Sequence, residues 1–210
     1  MKKILSTLLF ASVSLVALAE PRKLVLDFEA LPEGEPPKEV FVVEGKLSVV
    51  AKDGNKALEI GVSGELADSN ALIGDSAAGS ASFEARVFAT KAGRSTPRFG
   101  IGVHGQSGYR ILVFPAKKEL QLTKGDEIIK TVPFDWKSGE WLKLKIDVKK
   151  VAEGKWTISA KAWAAAEAEP AAPHFTHEDA TLKGQGKCSI WGTLFSGTPI
   201  YFDDLKVDLE

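Results

Sequence analysis

SGTPIYFDDLKVDLE, residues 196–210, reads as a strand that loses its phase halfway. Side chains alternate across a strand, so Ile200 and Phe202 point to one face, and Leu205, Val207 and Leu209 would point to the other. The break falls at two adjacent acids, Asp203 and Asp204. One extra residue at that point makes a β-bulge, which re-aims the strand from one apolar face to the other. Two other readings stand beside it: the acids bind a cation, or they are simply solvated.

The same two-residue rhythm runs outward through the chain. KLVLDFE sets Leu24, Leu26 and Phe28 on one face, and ASFEARVFAT sets Phe83, Ala85, Val87 and Ala89 against Ser82, Glu84, Arg86 and Phe88. RFGIGVHG sets Phe99, Ile101 and Val103 against Arg98, Gly100, Gly102 and His104. KLSVVAKDGNKALEIGV is two strands around an Asp-Gly turn, a strong hairpin cue. Residues 164–180, AAAEAEPAAPHFTHEDA, lack alternation, and Pro170 and Pro173 argue against a helix, so they are expected to form a long surface connection. About a dozen short antiparallel strands predict an all-β chain built as two sheets packed face to face. Large side chains on both faces, Phe88 and Phe114 among them, favour that sandwich over a closed barrel.

The N-terminus reads differently. Lys2 and Lys3 precede an apolar run from Ile4 to Val16 and a small-x-small site at Ala17-Leu18-Ala19. That pattern predicts a signal peptide over residues 1–19 and an exported chain, periplasmic or extracellular, whose 20–210 segment is a single sandwich. The 27 basic and 28 acidic residues nearly cancel, and setting aside Lys2 and Lys3 makes the balance more negative. Neither nucleic acid nor an anionic membrane is attracted by such a charge. Cys188 is the lone cysteine, so no intrachain disulfide forms, and it is expected as a buried thiol.

The segments RFGIGVHGQSGYRILVFP, LQLTKGD, SGEWLKLKIDV, KWTISAKAW and GTPIYFDDLKV together resemble the concanavalin-A-like lectin/glucanase superfamily. Within it they look closest to laminin-G-like and 3-keto-disaccharide hydrolase-like domains. The resemblance implies a jelly-roll sandwich and admits many activities. Laminarinase-type members carry Glu-x-Asp-x-Glu along one strand; this chain lacks it, and Glu65-Leu66-Ala67-Asp68 has the wrong spacing. Resembling modules hold a calcium ion between their first and last strands, which would here place Asp27, Glu29, Asp203 and Asp204 around a structural calcium.

The candidate ligand groove is the polar face formed by Glu84, Arg86, Arg98, His104, Tyr109 and Arg110, provided their strands are neighbours. Such a mixture hydrogen-bonds sugar hydroxyls, and Gly100 and Gly102 would let a ligand approach the backbone. Cross-strand ion pairs on an ordinary outer face account for the same residues. Among five tryptophans, Trp191, before a Gly/Ser/Thr-rich loop, is the candidate stacking platform, with a role in closing the sandwich as the alternative. His174 and His177 have a zinc-compatible spacing but no third ligand, and are expected as solvated. Three functions fit: a non-catalytic module binding a saccharide or glycan in the groove; a hydrolase or lyase using Glu84 and His104 as acid and base; or a protein-interaction sandwich.

Overall fold

The computed structural model describes residues 22–63 and 68–210; residues 1–19, expected as a signal peptide, and Glu65 to Ala67 lie outside them. The strands are β1 Arg22–Leu26, β2 Val40–Glu44, β3 Lys46–Lys52, β4 Asn55–Gly61 and β5 Asp68–Ala77, followed by β6 Ala81–Ala89, β7 Arg98–Val103 and β8 Tyr109–Phe114. They continue as β9 Glu119–Lys124, β10 Glu127–Pro133, β11 Trp141–Ala152 and β12 Lys155–Ala164, and end with β13 Phe175–Asp179, β14 Gly186–Thr193 and β15 Ile200–Leu209. One 3-10 turn, Pro115–Lys117, is the only helical element among the described residues.

Two antiparallel sheets form the sandwich. One runs β13-β12-β11-β6-β15-β4-β3 with β1 also paired to β15; the other runs β10-β9-β8-β7-β14-β5-β2. The inward side chains foreseen from alternation fill the space between them: Phe83, Phe99, Ile101, Ile111 and Phe202 are all fully buried. Each such side chain contributes roughly 1.5–3 kcal/mol through removal from water. The hairpin cue holds as well: β3 and β4 are joined by Asp53 and Gly54, both with positive φ (53° and 87°), the geometry of a type I′ turn.

The twin aspartates form the bulge. Asp203 pairs with Arg86 and Lys206 with Glu84, so Asp204 and Leu205 together oppose the single residue Ala85. Asp204 takes a left-handed φ of 49°. Ile200 and Phe202 before the bulge and Leu205, Val207 and Leu209 after it are all buried, so the extra residue keeps both apolar sets on the core side. The bulge also marks a change of partner. Residues 200–202 pair with β4, whereas 205–209 pair with β1 along the same edge of β15.

Residues 164–180 correct the sequence reading, because β13 lies inside them and extends the eight-stranded sheet beside β12. Its alternation is hidden since only Phe175 of its inward positions is apolar. Asp179 points between the sheets, where it accepts hydrogen bonds from Tyr109 Oη at 2.7 Å and Lys124 Nζ at 2.6 Å. A carboxylate at the end of one sheet thus ties it to β8 and β9 of the other.

Candidate functional site

The proposed six-residue face does not assemble. β6 belongs to the eight-stranded sheet, while β7 and β8 belong to the seven-stranded sheet. Glu84 and Arg86 therefore sit on the opposite side of the molecule from Arg98 and Trp191. Glu84 meets Lys206 Nζ at 3.4 Å. Arg86 pairs with Asp203, reaches Asp204 at 3.1 Å through Nε, and lies 4.6 Å from the Trp141 ring centroid.

His104 and Tyr109 are buried rather than groove-lining. His104 has a left-handed φ of 62° at the start of the β7–β8 loop. Its Nε2 lies 2.8 Å from the Gly79 carbonyl, its ring stands edge-on to Trp156, and burial pulls its pKa below the usual imidazole value. Tyr109 shares the inward phase of Ile111 and Val113; burial and the bond to Asp179 push its phenol pKa up. The acid–base pair Glu84 and His104 is consequently not assembled.

The four-carboxylate cluster is not formed either. Asp203 is 2% exposed and is neutralised by Arg86. Glu29 Oε1 accepts the Lys56 amide at 2.9 Å, and Asp27 Oδ1 accepts the Glu29 amide at 3.3 Å. Among the described residues, no group of three or more His, Cys, Asp or Glu is arranged to hold a metal ion. His174 is half-buried and accepts the Ala162 amide through Nδ1, and the His177 ring packs 5.8 Å from that of Tyr109, so neither is a solvated loop residue.

Arg98, Arg110 and Trp191 do come together, on the outer face of the seven-stranded sheet. Trp191 is flanked by Asn70 on β5 and Gly100 on β7. Arg110, on β8, reaches across β7 and places its guanidinium 3.7 Å from the Trp191 ring centroid. Gly102 makes that crossing possible, because a Cβ there would lie 2.9 Å from both Arg110 Cγ and Ser189 Oγ. The glycines expected to admit a ligand to the backbone are covered by the protein itself: Gly102 makes room for Arg110, and Gly100 lies under Leu112 and the Ile111 carbonyl. Trp191 Nε1 donates to Ser189 Oγ at 2.8 Å, which fixes the ring on the sheet. Arg98 donates to both carboxylate oxygens of Asp68, at 3.1 and 3.2 Å, and Thr193 Oγ1 donates to one of them.

This outer face is a recess. Arg110, Gln121 and Thr123 point away from the core, yet they are only 8%, 3% and 4% exposed. Neighbouring side chains, not the second sheet, shield them. Burial lowers the Arg110 pKa, and the nearby Asp126 and Asp68 oppose that shift. Three buried atoms on the face have no protein partner: Asn70 Oδ1, Arg110 Nε and Thr123 Oγ1. An unsatisfied buried polar group costs about 1–3 kcal/mol, so this face holds one donor, one acceptor and one hydroxyl whose partners the protein does not supply. Arg110 and Thr123 are directly opposite across β8 and β9, so two of the three converge.

Fold and topology define a two-sheet antiparallel jelly-roll sandwich. Solved structures similar to this chain include the carbohydrate-binding module CBM66 from Bacillus subtilis, at 12% identity and TM-score 0.55 over 80% of this chain and 94% of that one. Lectin II from Ulex europaeus is similar at 11% identity and TM-score 0.53, over 90% and 97% of the two chains. A Crh5 transglycosylase in complex with NAG is similar at 10% identity and TM-score 0.55, over 91% and 84%. No protein-family model and no curated protein matches the sequence. At these identities the likeness is one of fold.

Proposed function

We propose that the protein is a non-catalytic saccharide-binding module whose site is the recess around Arg110 and Trp191. The observation that carries this reading is the set of three unpartnered polar atoms, on Asn70, Arg110 and Thr123, buried on an outer sheet face beside an aromatic–guanidinium stack. Sugar hydroxyls both donate and accept, which is what that mixture of atoms requires. Apolar edges of Trp191 and Leu112 border the recess and suit the C–H faces of a pyranose. The fold likeness to a carbohydrate-binding module and to a lectin agrees with this assignment.

The carboxylate nearest the recess favours binding over catalysis. Asp68 is engaged by Arg98 through both oxygens and by Thr193, so its role is to position Arg98. A proton-transferring acid needs a free oxygen directed at the ligand. The export signal read at residues 1–19 would deliver the module to the periplasm or the medium, where glycans are accessible.

Isothermal titration against a panel of oligosaccharides tests the proposal, with Arg110→Ala and Trp191→Ala as recess variants. We expect binding to at least one glycan and a loss of tenfold or more in each variant, equivalent to about 1.4 kcal/mol. Binding unaffected by both substitutions would place the site elsewhere.

A further inference from the structure

An open cleft lies at one end of the sandwich, where the β10–β11 loop faces the segment following β12. Its walls are the rings of Phe134, Trp136, Trp141 and Trp163. The rings are held from behind: Trp136 stands edge-on to the core ring of Phe99 at 5.9 Å, Trp141 packs on Phe88 at 5.4 Å, and Phe134 meets His174 edge-on at 5.9 Å. Trp136 Nε1 is buried without a protein acceptor. An indole N–H in that state lacks the oxygen acceptor that a buried tryptophan usually finds.

The rim sets the charge of that ligand. Asp135, Glu140 and Glu167 line the cleft, and among the described residues none of them has a cationic partner. Lys137 is the one cation among the described residues of the rim. Arg86, beside Trp141, is already neutralised by Asp203 and Asp204. His174 is buried enough to favour its neutral form, with Nδ1 committed to the Ala162 amide. The cleft therefore combines flat apolar walls with an excess of uncompensated negative charge. The acids alone would define only a solvated surface; the aromatic walls and the orphan indole N–H make it a site.

We propose that this end cleft is a second saccharide site, selective for a sugar unit with a free amine, such as a glucosamine residue. The C–H face of such a ring packs on tryptophan, its ammonium group meets the rim carboxylates, and a ring or hydroxyl oxygen accepts from Trp136 Nε1. Tryptophan is also the aromatic side chain that attracts a cation most strongly. The inference shares its ligand class with the recess reading but none of its residues, so variants separate the failure of one from the failure of the other.

Titration of the full chain at pH 6 with glucosamine hexamer and with its N-acetylated counterpart, read by calorimetry and tryptophan fluorescence, tests the inference. The free-amine oligomer is expected to bind about tenfold more tightly, the effect of a charge-assisted hydrogen bond. Glu140→Gln combined with Glu167→Gln, both exposed and without structural partners, should weaken it by a similar factor. Glu178→Gln, outside both the cleft and the recess, should leave it unchanged. Equal affinity for the two oligomers, no binding of the amine form, or a loss as large in Glu178→Gln would overturn the assignment.

Discussion

Asp179→Ala removes the carboxylate that joins the two sheets at the edge of the sandwich. Its effect can be built up from its partners. The Tyr109 ring is fully buried, so its hydroxyl loses an acceptor that water cannot readily replace, at about 1–3 kcal/mol. Lys124 is 24% exposed and can turn outward, so loss of its ion pair adds at most about 1 kcal/mol. The expected destabilisation is about 1–4 kcal/mol at neutral pH, read by urea unfolding. Tyr109→Phe removes only the hydroxyl, and the double variant should show non-additivity of about 1 kcal/mol because the two groups share one bond. Burial raises the Asp179 pKa, but hydrogen bonds from Lys124, Thr181 and Tyr109 outweigh it and hold the carboxyl well below its ordinary value of 3.8. A depressed acid stabilises the fold fully above its unfolded pKa, and that contribution fades as pH falls toward the folded value. The gap between wild type and Asp179→Ala should therefore narrow below about pH 4. A loss under about 0.5 kcal/mol, or a gap that stays constant on acidification, would refute the clamp.

Deleting Asp204 removes the extra residue and leaves Leu205, Val207 and Leu209 in phase with Ile200 and Phe202, so the deletion should keep a native-like sheet by circular dichroism; loss of the sheet in the deletion would contradict the bulge assignment. Cys188 is buried and its thiol pKa is pushed up to about 12 by desolvation, so a thiol reagent at pH 8 should modify it only in denaturant. Rapid labelling of the native protein would show that β14 opens.

Strand identity was legible because the chain pairs an apolar core face with a polar one, and Phe83 to Ala89 or Phe99 to Val103 record that pairing directly. Strand neighbourhood was not. β6 and β7 are successive in the chain, yet they lie in different sheets, and nothing in ASFEARVFAT or RFGIGVHG states which sheet each joins. Tyr109 could have been rejected from the groove by parity alone, since it adjoins Arg110 in one strand and two successive residues face opposite ways. β13 escaped notice because Asp179 is a polar residue on the inner side, and its partners come from β8 and β9, far away in sequence. Among the residues put forward for binding, Arg98, Arg110 and Trp191 meet on one face. Asn70 and Thr123 carried no sequence signal, as their interest lies only in being buried outside the core. The end cleft was hidden for a similar reason: Trp136, Trp141 and Trp163 carry no mark in the sequence of sharing a cleft, and only the folded loops bring them together.

β15 sits between β6 on one side and β4 and β1 on the other, so the eight-stranded sheet cannot close before residues 200–209 have been synthesised. Until then β1 and β4 lack the strand that joins them to β6, and the partners of β15 lie more than a hundred residues upstream in the chain. Pairings between such distant segments form slowly. A growing chain wired this way keeps the eight-stranded sheet open for nearly the whole of its synthesis, and completes it only when its closing strand arrives.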